Sequence, residues 1–198
     1  MPRRCRLCAG IHHDGPLCSG CRADLPRSAP RMKPIAGLDE IWACFPYAYP
    51  ISAFIHEGKY RHDIGVLRIL GALLAEFAAI SDSPPDFLVP VPLAPERLRQ
   101  RGFNQAHELC RPLAARWGLE IADGLVTRRR GDCPQVGLSA AARRRNVRNA
   151  FSVLARIDGA NIIIVDDVMT TGATASSLAL SLRAAGADRV SFWSCARA

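Results

Sequence analysis

Two apolar periodicities alternate along the chain. Ile41–Tyr49 mixes apolar and aromatic residues and reads as a strand. Ile51–Tyr60 and Ile64–Ile80 have helical spacing; in the second, Val66, Ile69, Leu70, Leu73, Leu74 and Phe77 make one stripe. Ser81–Pro85 breaks the pattern, and Phe87–Val91 reads as a buried strand running into Pro92 and Pro95. A helix is expected over Phe103–Trp117, ended by Gly118, then a strand over Leu119–Thr127. Arg128–Leu138 has no period and holds Gly131, Pro134 and Gly137, as a long loop would; Ser139 would cap a helix through Ala140–Asn149. Asn161–Val165 is continuously apolar, as in a parallel strand covered on both faces. A helix over Thr174–Ala185 stops at Gly186, and Val190–Ala196 is a last strand. Strands alternating with helices predict an open parallel α/β sheet, with ligands at the carboxyl ends of its strands.

The 198 residues suit one substantial domain with a small appendage, here divided as residues 1–30 and 31–198. Apolar residues make up 49% and charged residues 22%, which excludes a disordered chain. Arg68 and Glu76 interrupt the longest apolar stretch, so membrane insertion is not expected. Met1–Arg4 runs straight into a cysteine motif without the apolar stretch of a signal peptide, which places the protein in the cytoplasm. The net charge is +8. Arg97–Arg148 holds twelve Arg, no Lys and four acids, so this segment carries the whole excess. A basic segment implies an anionic partner, either a phosphorylated small molecule or nucleic acid. An Arg-rich codon bias would equally explain the preference of Arg over Lys.

Four of the eight cysteines fall as Cys5-x-x-Cys8 and Cys18-x-x-Cys21. Each pair aims two thiolates at one point, and the loop between them closes a tetrahedron. That is the spacing of a structural zinc site with no coordination position left for water. A segment this short buries too little core to fold alone, so the metal would supply its folding energy. His12 and His13 lie between the pairs and could replace a ligand; two disulfides are the alternative pairing.

The chemistry concentrates in Ile162–Thr174. An apolar strand delivers Asp166 and Asp167, a loop of Val168, Met169, Thr170, Thr171 and Gly172 follows, and a helix starts at Ala173-Thr174. Gly172 permits close backbone approach, and free N–H groups with the helix dipole favour a phosphate. Two carboxylates beside such a cradle can hold ribose hydroxyls and orient a magnesium-bound diphosphate. The bland alternative is an ordinary αβ crossover.

This run resembles the motif of type I phosphoribosyltransferases that binds 5-phosphoribosyl-1-pyrophosphate (PRPP). The resemblance extends over the whole chain to the ComF (GntX-like) family, which joins a zinc module to a phosphoribosyltransferase domain. It is carried by Cys5–Cys21, His56-Glu57-Gly58-Lys59-Tyr60, Val89–Leu93, Arg101-Gly102-Phe103-Asn104-Gln105, Pro134-Gln135 through Leu138-Ser139, Arg144–Val147 with Phe151, and the acid motif. By this likeness Asp166 and Asp167 bind the ribose hydroxyls and are the catalytic pair. Thr170, Thr171, Gly172, Ala173 and Thr174 wrap the 5′-phosphate. Val91 ends a strand at the pyrophosphate loop, Lys59 or Arg101 neutralises the diphosphate, and Gln135 sits in a flap over Arg128–Leu138. Asp132 and Cys133 stand where Thr-type residues are expected, which departs from the family's flap. Asn104 and Gln105 would equally serve as cap and brace of the following helix, and Trp193 as core rather than a stacking platform.

The implied reaction is displacement of pyrophosphate from ribose C1 by a nitrogen nucleophile, with zinc as structural metal and magnesium accompanying PRPP. No His or Cys nucleophile accompanies the motif, and no general base is identifiable. Two other functions compete: a PRPP or nucleotide sensor, and a competence accessory that handles single-stranded DNA or competence proteins. Aromatic residues are 7% of the chain, and no stacking platform is visible beside the Arg clusters, which weighs against direct strand binding.

Overall fold

A computed structural model describes residues 2–27, 34–79, 84–128 and 150–198. Residues 129–138 of the flap segment, Gln135 among them, and the helix expected over Ala140–Asn149, with Arg143–Arg145, lie outside the described residues.

The elements follow the alternation of periods. Strands β1 (Arg3–Arg4) and β2 (Ile11–His12) and helix α1 (Ser19–Ala23) form the N-terminal knuckle. β3 (Glu40–Pro46), α2 (Ile51–Tyr60) and α3 (Ile64–Phe77) come next. Then follow β4 (Phe87–Pro90), α4 (Pro95–Arg101), α5 (Gln105–Trp117), β5 (Glu120–Ile121) and β6 (Val126–Arg128). The chain ends with β7 (Phe151–Val153), β8 (Asn161–Met169), α6 (Ala173–Ala184) and β9 (Arg189–Arg197). No described helix is long and apolar enough to cross a membrane.

The main sheet has the order β3-β9-β8-β4-β5, and every neighbouring pair is parallel. This is the expected open parallel α/β class. β8 is central, so its apolar run must be covered twice, and the two-residue period of a strand divides it. Ile163 and Val165 join a core with Leu70, Leu74 and Leu109 of α3 and α5. Ile162 and Ile164 join the opposite core with Leu178 and Leu182 of α6.

Three expectations change. Leu119–Thr127 is two short strands with a turn between them: β5 joins the main sheet, while β6 pairs antiparallel with β7 in a separate ribbon. Its apolar residues are too few and too interrupted for one buried strand. Pro95–Arg101 is helical: Pro95 opens it, where a missing N–H costs nothing, and Gly102 closes it in the left-handed region. β8 runs on to Met169, so the acids lie within the strand's ladder rather than beyond its end.

Candidate functional site

Asp167 continues the period of Ile163 and Val165 and turns to the α2 side of the sheet. Its carboxylate is buried and ion-paired with Lys59 Nζ, which α2 contributes from more than a hundred residues upstream. Gly58 makes that reach possible. A Cβ there would stand 2.6 Å from Leu67 Cγ, so only glycine lets α2 lie this close to α3. Asp166, half-buried, accepts a hydrogen bond from the Asp167 N–H (2.8 Å). It lines a small pocket with Met169, Thr170, Gly172, Ala173 and Thr174. Burial, and then the Asp167 charge beside it, push the Asp166 carboxyl well above the ordinary carboxylate range; Lys59 pulls the other way.

The loop is shaped by its own residues. Gly172 has φ +77°, and a Cβ there would overlap Ile35 Cδ1 and stand 2.9 Å from Met169 Cε. Thr171 Oγ1 accepts from the Ala173 N–H (3.4 Å), which leaves Thr170 and Thr174 on the pocket wall. Residues 34–39 cross the start of α6, where Ser176 Oγ donates to the Ala36 carbonyl (2.9 Å).

The neighbouring strand supplies the second wall. The Val91 N–H donates to the Val165 carbonyl (2.9 Å), which puts the Pro92 turn beside the acids. Asn104 does two structural jobs: its amide donates to the Val91 carbonyl (3.0 Å), and its Oδ1 caps α5 by accepting from the Ala106 N–H (3.0 Å). Gln105, buried, accepts from Arg101 Nη1 (2.5 Å). The structure thus brings Lys59, Val91 and the loop to the acid pair. Arg101 is tied to Gln105, and no ion pair joins it to either acid.

Among the described residues no thiol near the site is activated: burial raises both Cys110 and Cys195. Trp193 is core, packed edge-on between Trp42 and Trp117 at 5.6 and 5.5 Å.

In the N-terminal knuckle, the Sγ atoms of Cys5, Cys8, Cys18 and Cys21 lie within 4.8 Å of one another, a group that could hold a metal ion. All four are free thiols, so the disulfide alternative is not realised. Cys5 Sγ accepts from the N–H groups of Leu7 (3.5 Å) and Cys18 (3.4 Å), and Cys18 Sγ accepts from that of Cys21 (3.4 Å). Burial raises the Cys5 thiol, but the N–H groups of Cys18, Cys8 and Leu7, with the Cys8 thiol, outweigh it and bring it to about 6. His12 is not in the cluster; its Nδ1 accepts from the Asp14 N–H (3.2 Å).

Comparison with known proteins decides the family. The chain is 32% identical over 217 residues to the DNA utilization protein YhgH of Salmonella typhimurium, covering 98% of this chain and 95% of that one. It is 30% identical to competence protein F of Haemophilus influenzae, covering 97% and 90%.

The chain belongs to the ComF family.

No family model matches it. Among solved structures, this ComF-family chain resembles the glutamine PRPP amidotransferase of B. subtilis complexed with ADP and GMP. The TM-score is 0.48 and the identity 21%, covering 70% of this chain and about a quarter (27%) of that one.

Sequence reasoning missed three features of the site: the pairing of Lys59 with Asp167 in particular, Ile35 over Gly172, and Asn104 bracing Val91. Lys59 and Asn104 lay inside stretches singled out by resemblance. Ile35 carried no signal, being one apolar residue after a Pro- and Arg-rich stretch.

Proposed function

We propose that this chain binds PRPP at the Asp166–Thr174 loop and transfers its phosphoribosyl group to a nitrogenous acceptor, releasing pyrophosphate. One observation carries the reading: an acid pair in the carboxyl-terminal half of a central parallel strand is followed by a Thr/Gly loop at the N-terminus of a twelve-residue helix, with a lysine held at Asp167. Asp166 and Asp167 accept from the ribose hydroxyls, and Thr170–Thr174 take the 5′-phosphate through hydroxyls and free N–H groups. Lys59 and the Val91 turn face the diphosphate. At the transition state the C1–oxygen bond breaks, positive charge grows on the ribose and negative charge on the leaving diphosphate. The residues act by positioning and charge neutralisation. Oxygen donors suit magnesium, which neutralises the diphosphate when bound. The thiol cluster suits zinc: tetrahedral bonds of about 2.3 Å place sulfurs roughly 3.8 Å apart, and Cys8 and Cys18 Sγ are 3.8 Å apart.

Isothermal titration with PRPP and magnesium tests the ligand. Wild type binds, and Asp166→Asn/Asp167→Asn does not. Pyrophosphate release against a panel of nucleobases then identifies the acceptor. A wild-type chain that binds no PRPP sinks the reading.

A second reading, single-stranded DNA handling, is favoured by a separate observation and by the names of the relatives, a DNA utilization protein and a competence protein. The chain has three tyrosines, Tyr47, Tyr49 and Tyr60, and all are exposed, at 43, 75 and 66%. His56 packs on Tyr60 (4.6 Å between ring centres), so two rings meet on α2. Bases stack on exposed aromatic rings without sequence preference. Tyr49→Ala/Tyr60→Ala then weakens binding of a labelled oligothymidine about tenfold, with an unchanged melting temperature. Equal affinity of variant and wild type removes this reading.

A further inference from the structure

The ammonium of Lys59 sits where a site built for a divalent ion would be expected to be open. Asp167 is the more enclosed acid, its side chain 4% exposed, and Lys59 is 21% exposed. Among the described residues no other cation is ion-paired with either acid. Arg101 is occupied by Gln105, and Arg61 pairs with Glu57 (3.7 Å). Lys59 is not a loose surface chain that happened to fall inward. It lies in the last turn of α2, and α2 is seated on α3 through Gly58 and Leu67. Two adjacent carboxylates on a strand end would by themselves attract a divalent cation. Here a half-buried cation already neutralises one of them, in a place where a metal at Asp167 would leave that ammonium without its anion.

We propose that Lys59 is the resident counter-ion of the acid pair, closing Asp167 to divalent cations until a diphosphate-bearing ligand offers its ammonium another anion, so that metal enters only together with ligand. This rests on the reading of the site as one that takes a diphosphate. Lys59 then has two partners in turn: it pairs with Asp167 while the site is empty and moves to the leaving group when the ligand arrives. The ordering follows from charge alone. Metal without ligand would put a divalent ion beside an ammonium in a low-dielectric pocket. Metal with ligand adds the negative charges that satisfy both.

Mn2+ is the probe, titrated into zinc-replete full-length protein without PRPP and followed by the electron paramagnetic resonance of free Mn2+. Lys59→Met gains one saturable Mn2+ site per chain, bound at least about tenfold more tightly than by wild type. Adding Asp167→Asn to that variant abolishes the gain. If Lys59→Met does not fold, Lys59→Gln, which keeps a donor toward Asp167 without the charge, is read instead. Wild type that binds Mn2+ as tightly as either variant overturns the proposal, as does a folded variant that gains no site. Because no PRPP is present, failure of PRPP to bind would overturn the reading of the pocket and leave the Mn2+ result standing.

Discussion

At the scale of single residues the site depends on positions where one atom decides. Gly172 adopts φ +77°, which costs a residue with a Cβ about 1–2 kcal/mol, and the added carbon would run into Ile35. Gly172→Ala should therefore destabilise the chain by about 2 kcal/mol and abolish PRPP binding, since relief of the overlap must move either the loop or residues 34–39. Thermal denaturation and calorimetry read the two effects. A variant that melts like wild type and binds PRPP as well would show that the loop does not need this conformation. Asp167 has the same character: its partner is a single ammonium, so its identity as an anion matters more than its size. Little of this is visible in a one-dimensional pattern. The acid pair announces itself by type and spacing, but which acid faces the lysine follows from strand parity together with a helix that lies far away in sequence.

At the scale of elements, local rules account for most boundaries. α2 starts and ends where its apolar spacing does, and α5 stops at Gly118, which takes the left-handed conformation. α3 is capped by Asp63, whose Oδ1 accepts from the Val66 N–H (3.1 Å) while Arg6 pairs with Oδ2 (2.5 Å). Burial raises the Asp63 carboxyl, but the Val66 N–H and Arg6 outweigh it and the net shift is downward. A lowered folded pKa stabilises the fold above the unfolded value of about 3.9, and that contribution is lost as the pH falls through the folded value. Asp63→Ala should cost about 1 kcal/mol at pH 7, and the gap from wild type should close below about pH 4. Denaturant unfolding across pH tests this; a gap that persists in acid would mean the cap acts through neither charge nor proton. Where local rules failed, the reason was context. Leu119–Thr127 divides because only its first residues meet a strand edge, β4, while the rest pairs with β7.

At the scale of the whole molecule, the N-terminal knuckle is part of the body. Cys5, Leu17 and Leu25 belong to the core that contains Phe54, Val66 and Leu73. Arg6 reaches Asp63, and Arg22 reaches Glu76 (3.3 Å) at the far end of α3. α3 in turn packs on α5 at Gly71, where a Cβ would press on the Leu109 carbonyl (2.5 Å). Loss of metal should therefore be felt beyond residues 2–27. Removing it with a chelator under reducing conditions is expected to lower the melting temperature of the main transition by about 5 °C or more, with one cooperative transition retained. An unchanged main transition beside a separate low-temperature one would show that the knuckle folds by itself.

The sequence by itself determined the class of the fold, the thiol cluster and the acid motif. Each rests on short-range information: a two- or 3.6-residue period, a CxxC turn, and a strand, loop and helix start in immediate succession. Tertiary structure alone decided what stands opposite these pieces. Lys59 meets Asp167 from α2, which Gly58 seats closely on α3, and Ile35 covers Gly172 because residues 34–39 pass over α6. Such contacts join residues tens to more than a hundred positions apart, and no periodicity encodes them. They follow from which strand lies next to which in the sheet and from how closely a glycine lets two helices approach.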